Sequence, residues 1–199
     1  MDEKYPNLIR GLIPTVSNQL WVSDITYWKT KAGIYYISLI TDVFSHKIVG
    51  YNLADSMEAV ESLMALKMAL KENKSIQNLI HHSDRGSQYC SFKYVNLLQD
   101  YNIQISMTES GDPLENAVAE RENGILKEEY LDHYEIDNLK DAKELLASVV
   151  SLYNNERPHM SIGKITPSKV HSGEIQKGNQ KWKNYYSKTT QKIEDNILM

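Results

Sequence analysis

Three acids stand out by type and spacing. Asp24 sits in WVSDITYW, whose alternation of β-branched, aromatic and polar residues reads as a strand. Aspartate is disfavoured in strands, so Asp24 breaks a local rule there. Asp84 sits in HHSDRGSQY, where a short strand runs into a turn at Asp84-Arg85-Gly86. Glu120 sits in GDPLENAVAERENGILKEEY, a helical stretch that sets Asn116, Glu120, Asn123 and Lys127 on one face. Between Asp84 and Glu120 lie 35 residues (120 − 84 − 1). Carboxylates are hard oxygen donors of the kind Mg²⁺ takes, and three brought together repel unless a cation stands among them. Taken singly, each has an ordinary reading: an edge aspartate, a turn aspartate beside a glycine, a solvated helix face. Only convergence would make them a metal site.

The elements that must position them follow from periodicity. Segments 21–28, 33–43 and 47–52 read as three strands of an antiparallel meander. A helix over 56–72 carries a Leu/Met stripe, with Ser56 as its N-cap. A short strand (76–82), a helix (92–101) and a last strand (103–107) come next. Two long helices close the series, at about 113–133 and 138–155. Asp112 as N-cap, Pro113 in the first position and Glu115 closing a capping box specify the start of the first of these. Glu115 thus has a structural task, and Ser106–Gly111 reads as a mobile loop. The order predicts an α/β fold of RNase H-like type: a mixed five-stranded sheet, a three-strand antiparallel meander plus two further strands, flanked by helices. The division read from the chain is a lead-in segment (1–20), a catalytic core (21–156) and a basic C-terminal extension (157–199).

Composition bounds the rest. The chain has 199 residues, 41% hydrophobic and 24% charged, which is globular and not disordered. No apolar run is long enough to span a membrane, and no signal peptide is seen at the N-terminus. A single cysteine, Cys90, forms no internal disulfide, fits a reducing bacterial cytoplasm and reads as a buried, inert thiol. Net charge is −4, but residues 161–199 hold seven lysines against Glu174, Glu194 and Asp195, so that segment is +4 and the remainder −8. An acidic core with a basic tail suits a domain that collects carboxylates for metal.

With the 35-residue spacing come five ordered stretches: WVSDITYW, YYISLITDVFSHKIVGY, HHSDRGSQY, SMTESGDPLENAVAERENGILKEEY and YNNERPHMSIGKITP. Together they resemble the DDE transposases and integrases, and more narrowly the OrfB transposase of the IS-three group of bacterial insertion sequences. The resemblance implies an RNase H-like core that cleaves and joins phosphodiesters with two Mg²⁺ (or Mn²⁺) ions. It implies Asp24 bridging both ions, with Asp84 and Glu120 holding one each. It also implies positioning or DNA-contact roles for His82, Ser83, Arg85, Gln88, Asn116 and Lys127. His82 is read equally as a core histidine, and Lys127 and Arg121 equally as solvated charges. Asn154, Arg157, Pro158 and His159 match the family too, with Arg157 read as packing a helix end. DNA is the implied partner, with homo-oligomers assembling on it.

The chain departs from that pattern twice. Arg121-Glu122-Asn123 stand where the family more often has a small residue and aromatics. Only 23 residues precede Asp24, leaving no room for the upstream helix-turn-helix region that binds element ends, so end recognition by this chain alone is not expected. Three rival readings remain at this stage: an RNase H-like nuclease without joining activity, a non-catalytic DNA-binding or dimerisation remnant of a truncated transposase, and a scaffold whose acids are surface charges.

Overall fold

A computed structural model describes residues 5–73, 76–109 and 116–176. The strands are β1 (Leu20–Thr30), β2 (Gly33–Asp42), β3 (Ile48–Ala54), β4 (Ile80–Ser83) and β5 (Gln104–Met107). The helices are α1 (Ala59–Glu72), α2 (Phe92–Asp100), α3 (Ala117–Glu129), α4 (Leu139–Asn155) and α5 (Pro167–His171). One five-stranded sheet runs in the order β3-β2-β1-β4-β5. The β1–β2 and β2–β3 pairs are antiparallel, and β1–β4 and β4–β5 are parallel. That is the expected mixed sheet, with its meander at one side.

Strand alternation sends side chains to two faces, and each face has its own core. Trp28, Ile37, Leu39 and Leu53 pack with Ile125 and Leu126 of α3 and with Leu146, Val149, Val150 and Tyr153 of α4. Trp21, Ile40 and Val49 pack on the other side with Leu63, Leu66 and Leu70 of α1 and Tyr94 and Leu98 of α2. Gly50 lets α1 lie directly on β3. A Cβ there would overlap the Ala65 carbonyl oxygen and stand 2.9 Å from the Ala69 Cβ.

Several local expectations are corrected. Helix α1 begins at Ala59 after Glu58, not after Ser56; Glu58 makes no side-chain cap, while at the other end Asn73 donates its amide to the Ala69 carbonyl (2.8 Å). Ser106 and Met107 are not loop but the end of β5, where both are buried because β5 pairs in parallel with β4. Cys90 is exposed, not buried; its thiol stands near the Arg85 carbonyl (3.7 Å) and the Met107 sulfur (3.8 Å). Beyond Pro158, where the sequence pattern weakens, a 3-10 turn at Met160–Ile162 and α5 follow, with Ile162 and Val170 buried. The Asp112–Glu115 capping box and the lysines from Lys177 onward lie outside the described residues.

Candidate functional site

Parallel pairing brings the two aspartates together. The β1–β4 register sets Leu20 opposite Ile80 and Val22 opposite His82. Asp24 and Asp84 each lie two residues beyond that last pair: Asp84 just past the carboxyl end of β4, where open α/β sheets carry ligands, and Asp24 within β1 at the point where its parallel pairing stops. Helix α3 is then fixed across β1 at two points. Asn116 donates from Nδ2 to the Ser23 carbonyl (3.2 Å), and Asn123 donates from Nδ2 to Asp24 Oδ2 (2.7 Å). Glu120 lies between these anchors, on the face they share. Asp24, Thr26, Glu120, Asn123 and Lys127 line one cleft of about 320 Å³. A larger groove of about 1000 Å³, bounded by Ile13, Phe44 and His171 among others, contains none of the three acids.

Charge coupling agrees with this placement. Burial pushes the Asp24 carboxyl up from its usual range to about 6. The Asn123 amide and the Ile25 backbone N–H pull it down, while the charges of Asp84 and Glu120 push it up again. Asp24 therefore senses both other acids. Their ligand atoms are not drawn tight: among the described residues, the one group of metal-binding side chains within 4.8 Å of one another is His46, Glu122 and His159.

The surrounding residues divide into floor and frame. His81 is fully buried next to Ser23, with Nε2 2.7 Å from Ser23 Oγ and 3.0 Å from the Tyr94 hydroxyl; burial lowers it to about 3, so it is neutral. Tyr89 is buried beside it, and burial with Tyr94, Asp24 and Asp84 keeps its phenol protonated. His82 is also buried and binds Ser106 Oγ through Nδ1 (2.8 Å), joining β4 to β5 as a core histidine does. Ser83 is buried and donates to the Asp84 carbonyl (3.0 Å). Asp84 itself accepts from the Gly86 N–H (2.9 Å), an Asx turn that orients its carboxylate. Arg85 donates to the carbonyls of Thr108 (2.6 Å) and Tyr5 (3.1 Å), and Gln88 to that of Met57 (3.0 Å). Both residues thus hold loops in place. Lys127 reaches over the Tyr27 ring, 4.7 Å from its centre. Arg121 lines an adjoining groove with Glu120 and Glu129. Arg157, just past α4, packs a helix end as read: it makes a bidentate pair with Glu129, the last residue of α3 (2.7 and 2.6 Å). Asn154 clamps β3 by bonding both the N–H and the carbonyl of Ile48, each at 2.9 Å.

Two residues were legible on the α3 face or next to it but carried no role: Asn123, the partner of Asp24, and Glu122. Asn123 is seven positions after Asn116 and three after Glu120, and that spacing was the available signal.

Comparison with known proteins agrees with this architecture. Residues 14–113 match the integrase core domain family, and residues 101–167 match a second description of the integrase core domain. The insertion element IS600 uncharacterized 31 kDa protein of Shigella sonnei is 38% identical over 82% of this chain and 61% of its own length. The transposase for insertion sequence element IS629, also of Shigella sonnei, is 36% identical over 81% of this chain and 54% of its own. The putative transposase InsK for IS150 of Escherichia coli K12 is 32% identical, over 81% of this chain and 58% of its own length. The chain thus spans a little over half the length of these curated relatives. Among solved structures, the HTLV-2 integrase catalytic core domain in complex with magnesium (trimeric form) superposes with a TM-score of 0.65 at 21% identity, over 80% of this chain and 99% of that one. A chain of the simian T-cell lymphotropic virus intasome with PP2A regulatory subunit B56 gamma gives 0.70 at 19%, over 87% of this chain and 61% of that one. These likenesses establish the fold as that of retroviral integrase cores, which is RNase H-like. The chain belongs to the integrase core domain family.

Proposed function

We propose that this chain is the catalytic core of a DNA transposase that cleaves phosphodiesters and transfers the freed strand, with Asp24, Asp84 and Glu120 as its metal ligands. One observation carries the reading: Asp24, in a cleft with Glu120, is raised to about 6 under the added influence of Asp84 and Glu120. Such a cluster is unfavourable as it stands and favourable once a divalent cation joins it. The donors are all carboxylate oxygens, which suits Mg²⁺ or Mn²⁺. Two such ions, when bound, would stabilise the attacking and leaving oxygens of an in-line displacement and ease ionisation of the attacking water.

The chain's own residues prepare the site. Asn123 and the Ile25 backbone N–H hold the Asp24 carboxylate at the cleft. Asn116 keeps α3 against β1, so that Glu120 stays abreast of Asp24. The Gly86 N–H fixes one oxygen of Asp84. Lys127, at the cleft wall, is placed to meet a phosphate. Water and then a DNA 3′-OH would serve as nucleophiles, so no covalent enzyme intermediate is needed. We read the setting as a bacterial cytoplasm and the acting species as a homo-oligomer on DNA. The insertion-sequence relatives and the trimeric and dimeric forms of the HTLV-2 core support that reading. Among the described residues, no helix is long and apolar enough to cross a membrane.

The test is incubation with labelled duplex DNA bearing a free 3′-OH, with Mg²⁺ or Mn²⁺. Joined products, absent with chelator and absent in Asp84→Asn, are the expected outcome. Cleavage without joining would favour a nuclease, and neither product from a folded chain would favour the non-catalytic remnant.

A further inference from the structure

On the far side of α3 from the cleft lies a second group of ligating side chains. Glu122 (α3) is completely buried, its side chain 0% exposed; the His159 side chain is 4% exposed and that of His46 12%. His46 Nδ1 stands 2.9 Å from Glu122 Oε1, and His159 Nε2 stands 3.4 Å from the same oxygen. The distal nitrogens meet a common partner: Ser161 Oγ is 2.9 Å from His46 Nε2 and 2.7 Å from His159 Nδ1. The other Glu122 oxygen accepts from the Tyr153 hydroxyl. The imidazoles stack, 4.3 Å between centres and 13° between planes, so both turn their proximal nitrogens towards Glu122.

Hydrogen-bond accounting leaves this ring one positive charge short. Its links run Glu122–His46–Ser161–His159–Glu122, and each needs a proton. Two neutral imidazoles and one hydroxyl supply three protons for four links. The deficit falls at His159 Nε2, a buried nitrogen aimed at Glu122 with no hydrogen-bond partner. A buried carboxylate facing a bare imidazole lone pair is costly unless a cation lies between them.

From this the geometry points to a transition-metal site, of the class that takes Zn²⁺, formed by His46 Nδ1, His159 Nε2 and Glu122 Oε1. With a cation there, each imidazole nitrogen and each Glu122 oxygen finds a partner. Both imidazoles stay neutral, both distal N–H groups donate to the two lone pairs of Ser161, and Tyr153 orients the carboxylate. Ligating histidines characteristically donate their other N–H in this way. Two imidazoles and a carboxylate suit Zn²⁺ and not Mg²⁺. Bonds of roughly 2.0–2.1 Å in a tetrahedron require donors about 3.3–3.4 Å apart; His159 Nε2 and Glu122 Oε1 already stand at 3.4 Å, and His46 Nδ1, hydrogen-bonded to the same oxygen at 2.9 Å, would draw back slightly on ligation. Ligation in both ring planes would splay the stack. The partly exposed His46 side leaves a route for entry and for a fourth, solvent ligand. The three donors come from the β2–β3 turn, from α3 and from the segment after α4, so a bound ion would pin these elements together. This inference does not rest on the DNA chemistry proposed above.

The test is Zn²⁺ titration, by calorimetry and equilibrium dialysis, into the full chain carrying Asp24→Asn, Asp84→Asn and Glu120→Gln, which removes the cleft as a competing site. One Zn²⁺ per chain is expected. Ser161→Ala should weaken binding by about 10–100-fold, Glu122→Gln and His159→Gln should abolish the stoichiometric site, and His133→Ala should leave it unchanged. Should a buried variant fail to fold, X-ray absorption on the Zn²⁺-loaded chain with all three site residues intact decides the matter: a shell with two imidazoles supports the site. Failure to bind one equivalent, binding indifferent to Ser161→Ala, or a shell without imidazole overturns it, and the ring is then closed by a proton.

Discussion

Glu120 and Glu122 stand two residues apart on one helix and live in opposite environments. Glu120 is exposed at a cleft it shares with Asp24, and no cationic side chain contributes to lowering Asp24. Glu122 is buried; burial alone would push it up, but His159, His46 and Tyr153 outweigh that and hold it at about 2. One side of α3 therefore gathers acids against one another, and the other side surrounds a single acid with donors. The first arrangement sets like charges against one another in the metal-free fold; in the second, His46 and Tyr153 answer most of the carboxylate's charge and only the His159 contact is left unpaired. Unresolved charge of the first kind is what marks a working site, because a fold has no structural reason to keep it.

The sharpest way to break this contrast is to neutralise an acid on each side. Asp84→Asn removes a proposed ion ligand from an exposed turn whose backbone needs only the Asx-type contact to Gly86, which an asparagine oxygen can still accept. Metal-dependent cleavage should fall by about 10³-fold or more, the several kcal/mol expected of a lost metal ligand, while the melting temperature stays within a degree or two. Glu122→Ala should do the reverse to the fold. Removing the central partner of two buried imidazoles and a buried tyrosine hydroxyl should cost about 3–5 kcal/mol, read from urea unfolding. If Glu122→Ala unfolds no more easily than Asp84→Asn, the distinction between the two sides is mistaken.

How much of this was legible before the fold was known depends on the range of the interaction. Asp24, Asp84 and Glu120 announced themselves through local rule-breaking, fixed spacing and family motif. The sheet was legible because alternation over 21–28 and 33–43 is a local signal. The parallel register that sets Asp24 abreast of Asp84 was not, since it depends on β4 pairing with a strand some 60 positions earlier, Val22 with His82. Glu122 was visible only as a departure from the family's aromatics. Its partners come from His46 and His159, 76 positions back and 37 forward (159 − 122), and no periodicity links them. Cys90 misled for a related reason. Free cysteines are usually buried, but here the turn after Gly86 carries the thiol outward.

A gentler intervention sharpens the comparison at its hinge. Asn123→Ala deletes the 2.7 Å bond that fixes Asp24 to α3 while leaving all three acids in place. Outer partners of metal ligands are typically worth about 10–100-fold in affinity or activity. The half-saturating Mg²⁺ concentration should rise by about that factor. The Asp24 carboxyl should also titrate above its present value of about 6, since the amide now holds it down. Carboxyl carbon NMR of the two proteins would report both ends of that statement.

The smallest effect concerns stability against pH in the absence of metal. An acid raised from about 4 unfolded to about 6 folded binds more protons in the native state between those values. Native stability is then fullest below pH 4 as far as this group is concerned, and it is lost as pH climbs through 6. Asp24→Asn removes the titration. Above pH 6.5 the metal-free variant should be more stable than the parent by on the order of 1 kcal/mol, with the advantage vanishing near pH 4. Added Mg²⁺ should stabilise the parent increasingly as pH rises past 6 and leave Asp24→Asn almost unmoved. A parent whose metal-free stability is flat from pH 4 to 7 would mean that Asp24 carries no such burden. The cleft would then resemble the opposite side of α3 more closely than its geometry indicates.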